Sequence, residues 1–271
     1  MKEAQGELLG HTQSLCPVCL QRIAARRVAY GEDVYLEKQC ADHGSFRTVI
    51  WRGDRPGYGE WSAVKFPSAP VSDQPARHGC PYDCGLCPEH RQQTCCVLLE
   101  VTGRCNLRCP VCFARSGEAD PDPELSEIES WYRKLLKQGG PFNIQLSGGE
   151  PTLREDLPEI IAIGKRLGFT FFQLNTNGLR LASDADYAGR LKASGLSCVF
   201  LQFDGTTDAI YEKLRGQALL QEKLQVLERC AVLELGVILV VTVVPGVNDD
   251  NIGDIIRLAI DRMPTVRGVH F

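Results

Sequence analysis

Cys105, Cys109 and Cys112 stand in the run Cys-Asn-Leu-Arg-Cys-Pro-Val-Cys, directly after an apolar stretch. Three thiolates at this spacing can hold three irons of a cubic iron–sulfur cluster and leave the fourth iron without a protein ligand. An open iron separates a catalyst from a sealed electron carrier. Gly148-Gly149-Glu150-Pro151 follows the next apolar stretch. It supplies the second half of a site, and the pair is far more specific than either motif alone. The bland reading is a zinc knuckle beside an unrelated glycine turn. It leaves unexplained why both motifs end successive strands.

A second set, Cys80-Pro-Tyr-Asp-Cys84-Gly-Leu-Cys87, repeats the spacing, with His78, His90, Cys95 and Cys96 nearby. It follows a polar linker rather than a strand, and no Gly-Gly-Glu comes after it. It is expected to hold an auxiliary [4Fe–4S] cluster, with Cys95 as fourth ligand and Cys96 as the alternative. A zinc site drawing on the histidines is the competing reading. The third set is Cys16-Pro-Val-Cys19 with Cys40 and His43. Cys-x-x-Cys followed by Cys-x-x-His points to a mononuclear zinc or iron site that serves folding. Among the thirteen cysteines only Cys198 and Cys230 lie beyond residue 112. Both are expected to be buried as small apolar side chains.

The chain has 271 residues, 44% of them hydrophobic and 24% charged, with a net charge of −4. That is an ordinary globular composition, and the acidic balance gives no general attraction to nucleic acid or an anionic membrane. Residues 1–15 contain no long apolar stretch of the signal-peptide kind, and the β-branched run at 237–244 is too short to span a bilayer. Tightly spaced cysteines then suit metal ligation in a reducing cytoplasm.

Residues 1–66 read as a small β module. Strands at 28–30 and 34–36 flank a Gly31-Glu32-Asp33 turn, a second knuckle runs from Cys40 to His43, and another strand covers 46–51. So small a core would gain from a bound metal. Residues 67–96 form a linker rich in Pro, Ser and Gln and then the auxiliary cysteine loop.

From 97 to 271 strand and helix alternate. Strands are expected at 97–102, 142–146, 169–174, 197–203 and 237–244, with a sixth starting near Val266. Between them lie a helix capped by Asp122-Pro123 and carrying Leu125, Ile128, Trp131 and Leu135, then helices at 158–168 and 184–194. A further helix is lined by Leu219, Lys223, Leu224, Leu227 and Ala231, and the last covers 249–262. Such alternation implies a parallel sheet, either doubly wound or rolled into a barrel. A cysteine loop stands where a dinucleotide fold would carry Gly-x-Gly-x-x-Gly. Ending on an uncovered strand suggests a fragment, or a barrel closed by another chain.

The Cys-x-x-x-Cys-x-x-Cys loop after the first strand and Gly-Gly-Glu-Pro after the second resemble the radical S-adenosylmethionine (SAM) superfamily. The resemblance implies an α/β fold, a partial (β/α)6 TIM-like barrel with a small N-terminal rubredoxin- or zinc-ribbon-like module. It implies a [4Fe–4S] cluster on Cys105, Cys109 and Cys112, whose free iron chelates SAM. Reductive cleavage of the sulfonium then gives a radical that removes hydrogen from an unactivated carbon. It further implies that Gly148, Gly149 and Glu150 approach the methionyl end of SAM, and that Phe113 covers its adenine unless it merely packs in the core. Asn175, Asn177, Gln202 and Asp204, at the ends of strands three and four, become candidates for its other groups; ordinary turn formation is the alternative for each.

The run from His78 to His90, then Thr94-Cys95 and Glu100 to Ala114, resembles one prokaryotic subfamily. It includes tetraether lipid synthase and dihydro-hydroxymethylpterin methyltransferases. The expectation is a lipid-type reaction forming carbon–carbon bonds, with pterin methylation as the alternative. The partners implied are SAM, a reductant such as ferredoxin or flavodoxin, and a lipid or pterin substrate. The location implied is the cytoplasm, peripheral to the membrane for a lipid substrate. A non-enzymatic electron carrier or zinc-ribbon adaptor is the rival class, for which Gly148 to Glu150 would have no use.

Overall fold

The computed structural model describes residues 6–62, 75, 77–78, 82, 94–112 and 121–271. The chain divides into two compact units, 1–93 and 94–271.

The first unit is an antiparallel meander of β1 (Glu7–Leu15), β2 (Arg22–Tyr30), β3 (Asp33–Cys40) and β4 (Gly44–Trp51), followed by α1 (Arg55–Ser62). Gly31, at φ +63°, lies in the two-residue loop that pairs Tyr30 with Asp33, where a hairpin turn needs a left-handed residue. β1 was not anticipated. Its sequence has no clean alternation, and its pairing with β2 rather than its own pattern makes it a strand. Among the described residues only a few apolar side chains are buried here, including Ala25, Val28, Ala29, Val34 and Tyr58.

The second unit has β5 (Cys96–Thr102), β6 (Asn143–Gly148), β7 (Phe172–Thr176), β8 (Cys198–Gln202), β9 (Gly236–Val240) and β10 (Val266–His270). All neighbouring pairs are parallel and the strands lie in chain order. A doubly wound sheet reverses direction in its middle; this one does not, which decides for the barrel-type arrangement. Same-handed crossovers between sequential strands put the helices on one face. That layer contains α2 (Leu125–Lys137), α3 (Leu157–Arg166), α4 (Leu179–Ser183), α5 (Ala185–Ser194), α7 (Leu220–Val232) and α8 (Ile252–Asp261), while the Tyr211 ring of α6 (Asp208–Arg215) packs against Leu107 in the loop after β5.

Alternation along the strands separates the two faces. Ile144, Leu146, Leu174, Val199, Leu201, Val237 and Leu239 are fully buried in the core against the helices. The opposite face carries Gln145, Gln173, Asn175, Phe200, Gln202, Ile238 and Val240, all half-buried. A parallel sheet with one face so polar is the inner wall of a partial barrel.

Several boundaries depart from expectation for visible reasons. Residues 169–171 form the connection after α3 rather than strand, because the helix is closed off there: Gly168 adopts φ +98° and the Phe169 amide donates to the Gly164 carbonyl. The fifth strand ends at Val240 rather than 244, because the Thr242 amide donates to Asp204 and the Val244 amide to Asn248. Asp122 does not cap α2; its carboxylate accepts from the Thr102 hydroxyl at 2.5 Å and from Arg104. Despite partial burial, Arg104 and Thr102 hold that carboxyl below the usual range. Ala231 is exposed, and Val226 and Cys230 are buried on α7 in its place.

Candidate active site and metal centre

Because the strands are parallel, the loops after β5, β6, β7, β8 and β9 all emerge at one edge of the sheet. Cys105, Cys109 and Cys112 lie in the first of these loops, Cys105 and Cys109 half-buried and Cys112 exposed. The Leu107 amide points at the Cys105 sulfur at 3.5 Å. Leu107 packs with Tyr211 and Leu219, and Cys105 and Cys109 rest against that cluster. Three thiols in one partly desolvated turn are a donor set that suits iron.

The glycine pair sets this loop in place. A Cβ on Gly148 would collide with the Thr102 carbonyl oxygen, and one on Gly149 with that of Arg104. Gly148 also holds φ +119°, which only glycine adopts readily. The close approach lets the Gly149 amide donate to Thr102 and the Glu150 amide to Arg104, both at 2.8 Å. The glycines thus clamp the residues immediately before Cys105.

Glu150 is 1% exposed. One carboxylate oxygen accepts from the Thr152 amide (3.1 Å) and hydroxyl (2.6 Å) and from the Thr176 hydroxyl (2.7 Å); the other accepts from the Asn177 amide (2.7 Å). These contacts tie β6 to β7. Asn177 continues the chain of contacts, donating from its side chain to Asn106 at 2.8 Å, next to Cys105. Asn175 turns to the inner face, accepting from Gln145 at 2.7 Å and donating to Ser147 at 3.2 Å.

Asp204 is fully buried and forms a bidentate pair with Arg215 at 2.7 and 2.8 Å. The Gln202 amide oxygen, turned toward the same guanidinium, accepts at 2.9 Å. Arg215 also donates to the Val111 carbonyl at 2.8 Å. Burial opposes its charge, yet Asp204 and Cys109 raise its pKa further. Lys223 is wholly buried, donates to the Asn177 carbonyl and lies 5.7 Å from the Tyr211 ring centre. Burial lowers its amine to about 8 against the pull of Asp204 and Glu150.

Arg215 and Lys223 were missed as site residues. α6 is a short, charged segment, signalled only by Thr207 before it and by Ile210, Tyr211 and Leu214 on one face. Lys223 did show itself as a lysine at an apolar position.

Phe113, Cys80, Cys84, Cys87 and His90 lie outside the described residues. Cys95 is exposed ahead of β5, whereas the Cys96 thiol faces Gln145 and Gln173, and burial raises its pKa. Cys95 is therefore the freer of the two candidate fourth ligands. Cys198 and Cys230 are buried as expected, and burial pushes the Cys230 thiol up to about 12.

In the first unit the ligand atoms of Cys16, Cys19, Cys40 and His43 all lie within 4.8 Å of one another. Two sequence-local turns, 16–21 and 40–44, bring them together. Burial opposes ionisation of Cys16, but the Cys19 and Val18 amides and the neighbouring thiols bring it down to about 7. Such a Cys3His group offers the four donors that a tetrahedral metal ion takes.

A parallel half-barrel with a three-cysteine loop at its mouth defines a class of (β/α) iron–sulfur enzyme folds. The family profile of the radical SAM superfamily matches residues 99–259, and that of the HMPTM N-terminal zinc ribbon domain matches 8–52. The chain belongs to the radical SAM superfamily. It is 41% identical over 265 residues to a 7,8-dihydro-6-hydroxymethylpterin dimethyltransferase of Methanocaldococcus jannaschii, covering 96% of this chain and 52% of that protein. A mitochondrial GTP 3',8-cyclase of Arabidopsis thaliana is 32% identical over 64% of this chain and 45% of its own length. The chain thus spans about half the length of these relatives. A radical SAM methyltransferase from Sphaerobacter thermophilus shares the fold with TM-score 0.51 and 14% identity, covering 97% of this chain and 66% of that one. Among the described residues no helix is long and apolar enough to cross a membrane.

Proposed function

We propose that this chain supplies the radical SAM core and the zinc-ribbon unit of an enzyme that methylates a reduced pterin or a similar heterocycle. The observation that carries this reading is the 41% identity to the pterin dimethyltransferase, which extends through both units. It favours the pterin alternative over the lipid coupling expected from the sequence.

In this reading Cys105, Cys109 and Cys112 hold a [4Fe–4S] cluster and Cys16, Cys19, Cys40 and His43 hold zinc. The bound cluster supplies one-electron reductive cleavage of SAM, fed by a reductant such as ferredoxin or flavodoxin. The protein's part is positional. Gly148 and Gly149 set the height of the cysteine loop, Glu150 and Asn177 lock it to β7, and the inner wall receives the substrate. That wall has two characters: Gln145, Ser147, Gln173 and Asn175 offer amides and a hydroxyl, while Phe200, Ile238 and Val240 offer an apolar surface. A flat heterocycle needs both, polar partners for its edge and apolar contact for its face; a lipid tail needs only the second. Cys80, Cys84, Cys87 and Cys95 are assigned to an auxiliary cluster.

The test is anaerobic reconstitution with iron, sulfide and zinc, followed by incubation with SAM, a low-potential donor and 6-hydroxymethyl-7,8-dihydropterin. Methylated pterin in the mass spectrum is the expected result. SAM cleavage with no methylated pterin, but with coupled product from an added diacylglycerol-type lipid, would reverse the assignment.

A further inference from the structure

The inner wall is built in cross-strand rows, and the row at its floor differs from those above. Gln173, Cys198 and Gly236 lie side by side there, at the beginnings of β7, β8 and β9. Val237 and Leu239 enter the core, so Gly236 faces the inner wall. Next to it the register of β10 slips. Val266 pairs with Val237 and Gly268 with Ile238, which leaves Arg267 as the extra residue of a bulge. A bulge re-aims the side chain it carries. Arg267 is aimed across the inner wall, because a Cβ on Gly236 would collide with its Nε and guanidinium carbon. Gly236 holds no positive φ, so its backbone does not require glycine; the missing side chain is the room the guanidinium occupies. The charge is felt as far as β8, where burial raises the Cys198 thiol and Arg267 opposes that rise. Among the described residues no carboxylate pairs with Arg267.

A solvated surface arginine needs neither a bulge nor a glycine notch. A cation set by both, on the wall assigned above to the substrate, is recognition chemistry. The row above it runs Asn175, Phe200, Ile238 and Gly268, an amide beside an apolar surface. A strand rises about 3.3 Å per residue, so Gly236 lies about 13 Å below the Val240 end of β9. A fused bicyclic ring with a short side chain spans such a depth.

We propose that Arg267 is a specificity-determining residue that binds an oxyanion, a phosphate ester or a carboxylate, on the side chain of the substrate heterocycle. The ring lies against Phe200 and Ile238, and the anion reaches the floor. The planar fork of a guanidinium matches two oxygens of either group, and its charge discriminates against a neutral side chain. The inference rests on the pterin reading and narrows it, favouring anionic derivatives over the neutral alcohol.

The test is anaerobic equilibrium dialysis of the full chain, reconstituted and supplied with SAM. The probes are 6-hydroxymethyl-7,8-dihydropterin, its phosphate monoester and 6-carboxy-7,8-dihydropterin. Wild type is expected to bind an anionic probe about tenfold tighter than the alcohol. Comparing the two anionic probes separates phosphate from carboxylate recognition. Arg267→Gln, and Gly236→Ala, whose added Cβ pushes the guanidinium aside, are expected to lose the preference while binding the alcohol as wild type does. A wild type that binds all three probes alike overturns the inference without any variant, and so does a preference that survives Arg267→Gln. If Arg267→Gln does not fold, an undiminished preference in Gly236→Ala overturns it alone. A wild type that binds none of the probes overturns the pterin reading and this inference with it, whereas equal binding leaves that reading standing.

Discussion

The two cysteine-bearing sites within the described residues are assembled by opposite means. In the N-terminal unit, two short turns deliver Cys16, Cys19, Cys40 and His43 to within 4.8 Å of each other, and all four coordination positions come from the protein. At the barrel mouth, three thiols share one turn whose shape comes from far along the chain. Gly148 and Gly149 press on it from β6, Asn177 from β7, and Arg215 from α6. Local donors close a structural site. Long-range supports set the shape of a loop that, in the proposed assignment, would hold a cluster with one iron left for SAM.

That contrast can be broken most forcefully by removing metal. Chelation of zinc, or Cys16→Ser, should remove on the order of 10 kcal/mol from the first unit. The β1–β4 sheet should then melt as a separate transition in calorimetry or circular dichroism, with the 94–271 transition in place. A single unchanged transition would mean that the knuckle is not a folding site.

A smaller effect, confined to the second unit, is expected from Gly149→Ala. The added Cβ meets backbone carbonyls rather than a yielding side chain, so a cost of about 2–4 kcal/mol and reduced iron uptake should follow. Gly253 in α8 has open space around it and no positive φ. Gly253→Ala should stabilise by about 0.5–1 kcal/mol and leave iron uptake alone. Equal behaviour of the two would remove the case for the glycine clamp.

The smallest effect sharpens the electrostatics. Lys223 faces Asp204, Glu150, Arg215, Cys109 and the Tyr211 ring, and burial sets its amine near pH 8. An unfolded lysine titrates near 10.4, so between these values the unfolded chain binds more protons than the folded one. Stability from this group therefore rises with pH through that window, by about 1 kcal/mol per unit. Denaturant unfolding of wild type and Lys223→Met at pH 8 and pH 9 should show the rise in wild type alone. Parallel shifts in both proteins would refute a lowered amine.

What was legible in the sequence follows from the same contrast. The knuckle ligands, the cysteine loop and the Gly-Gly-Glu segment could be read because each is a short run with its own spacing. The helix-facing apolar residues could be read from period alone. Barrel against doubly wound sheet could not, since strand order is a property of pairing. Glu150 and Asp204 were recognisable as rim residues, but their use could not be inferred. Glu150 is spent on Thr152, Thr176 and Asn177, and Asp204 on an arginine eleven positions later in a helix too short and polar to register. Such pairings arise only when parallel strands bring distant loops to one edge.

The most direct test of the central claim is the EPR spectrum of the reduced, reconstituted protein in which Cys80, Cys84 and Cys87 are replaced by Ala. With only Cys105, Cys109 and Cys112 left to bind a cluster, a [4Fe–4S]+ signal should appear, change on adding SAM and vanish in Cys105→Ala. A signal that SAM does not alter, or one that survives Cys105→Ala, would contradict an open iron at the mouth of the half-barrel.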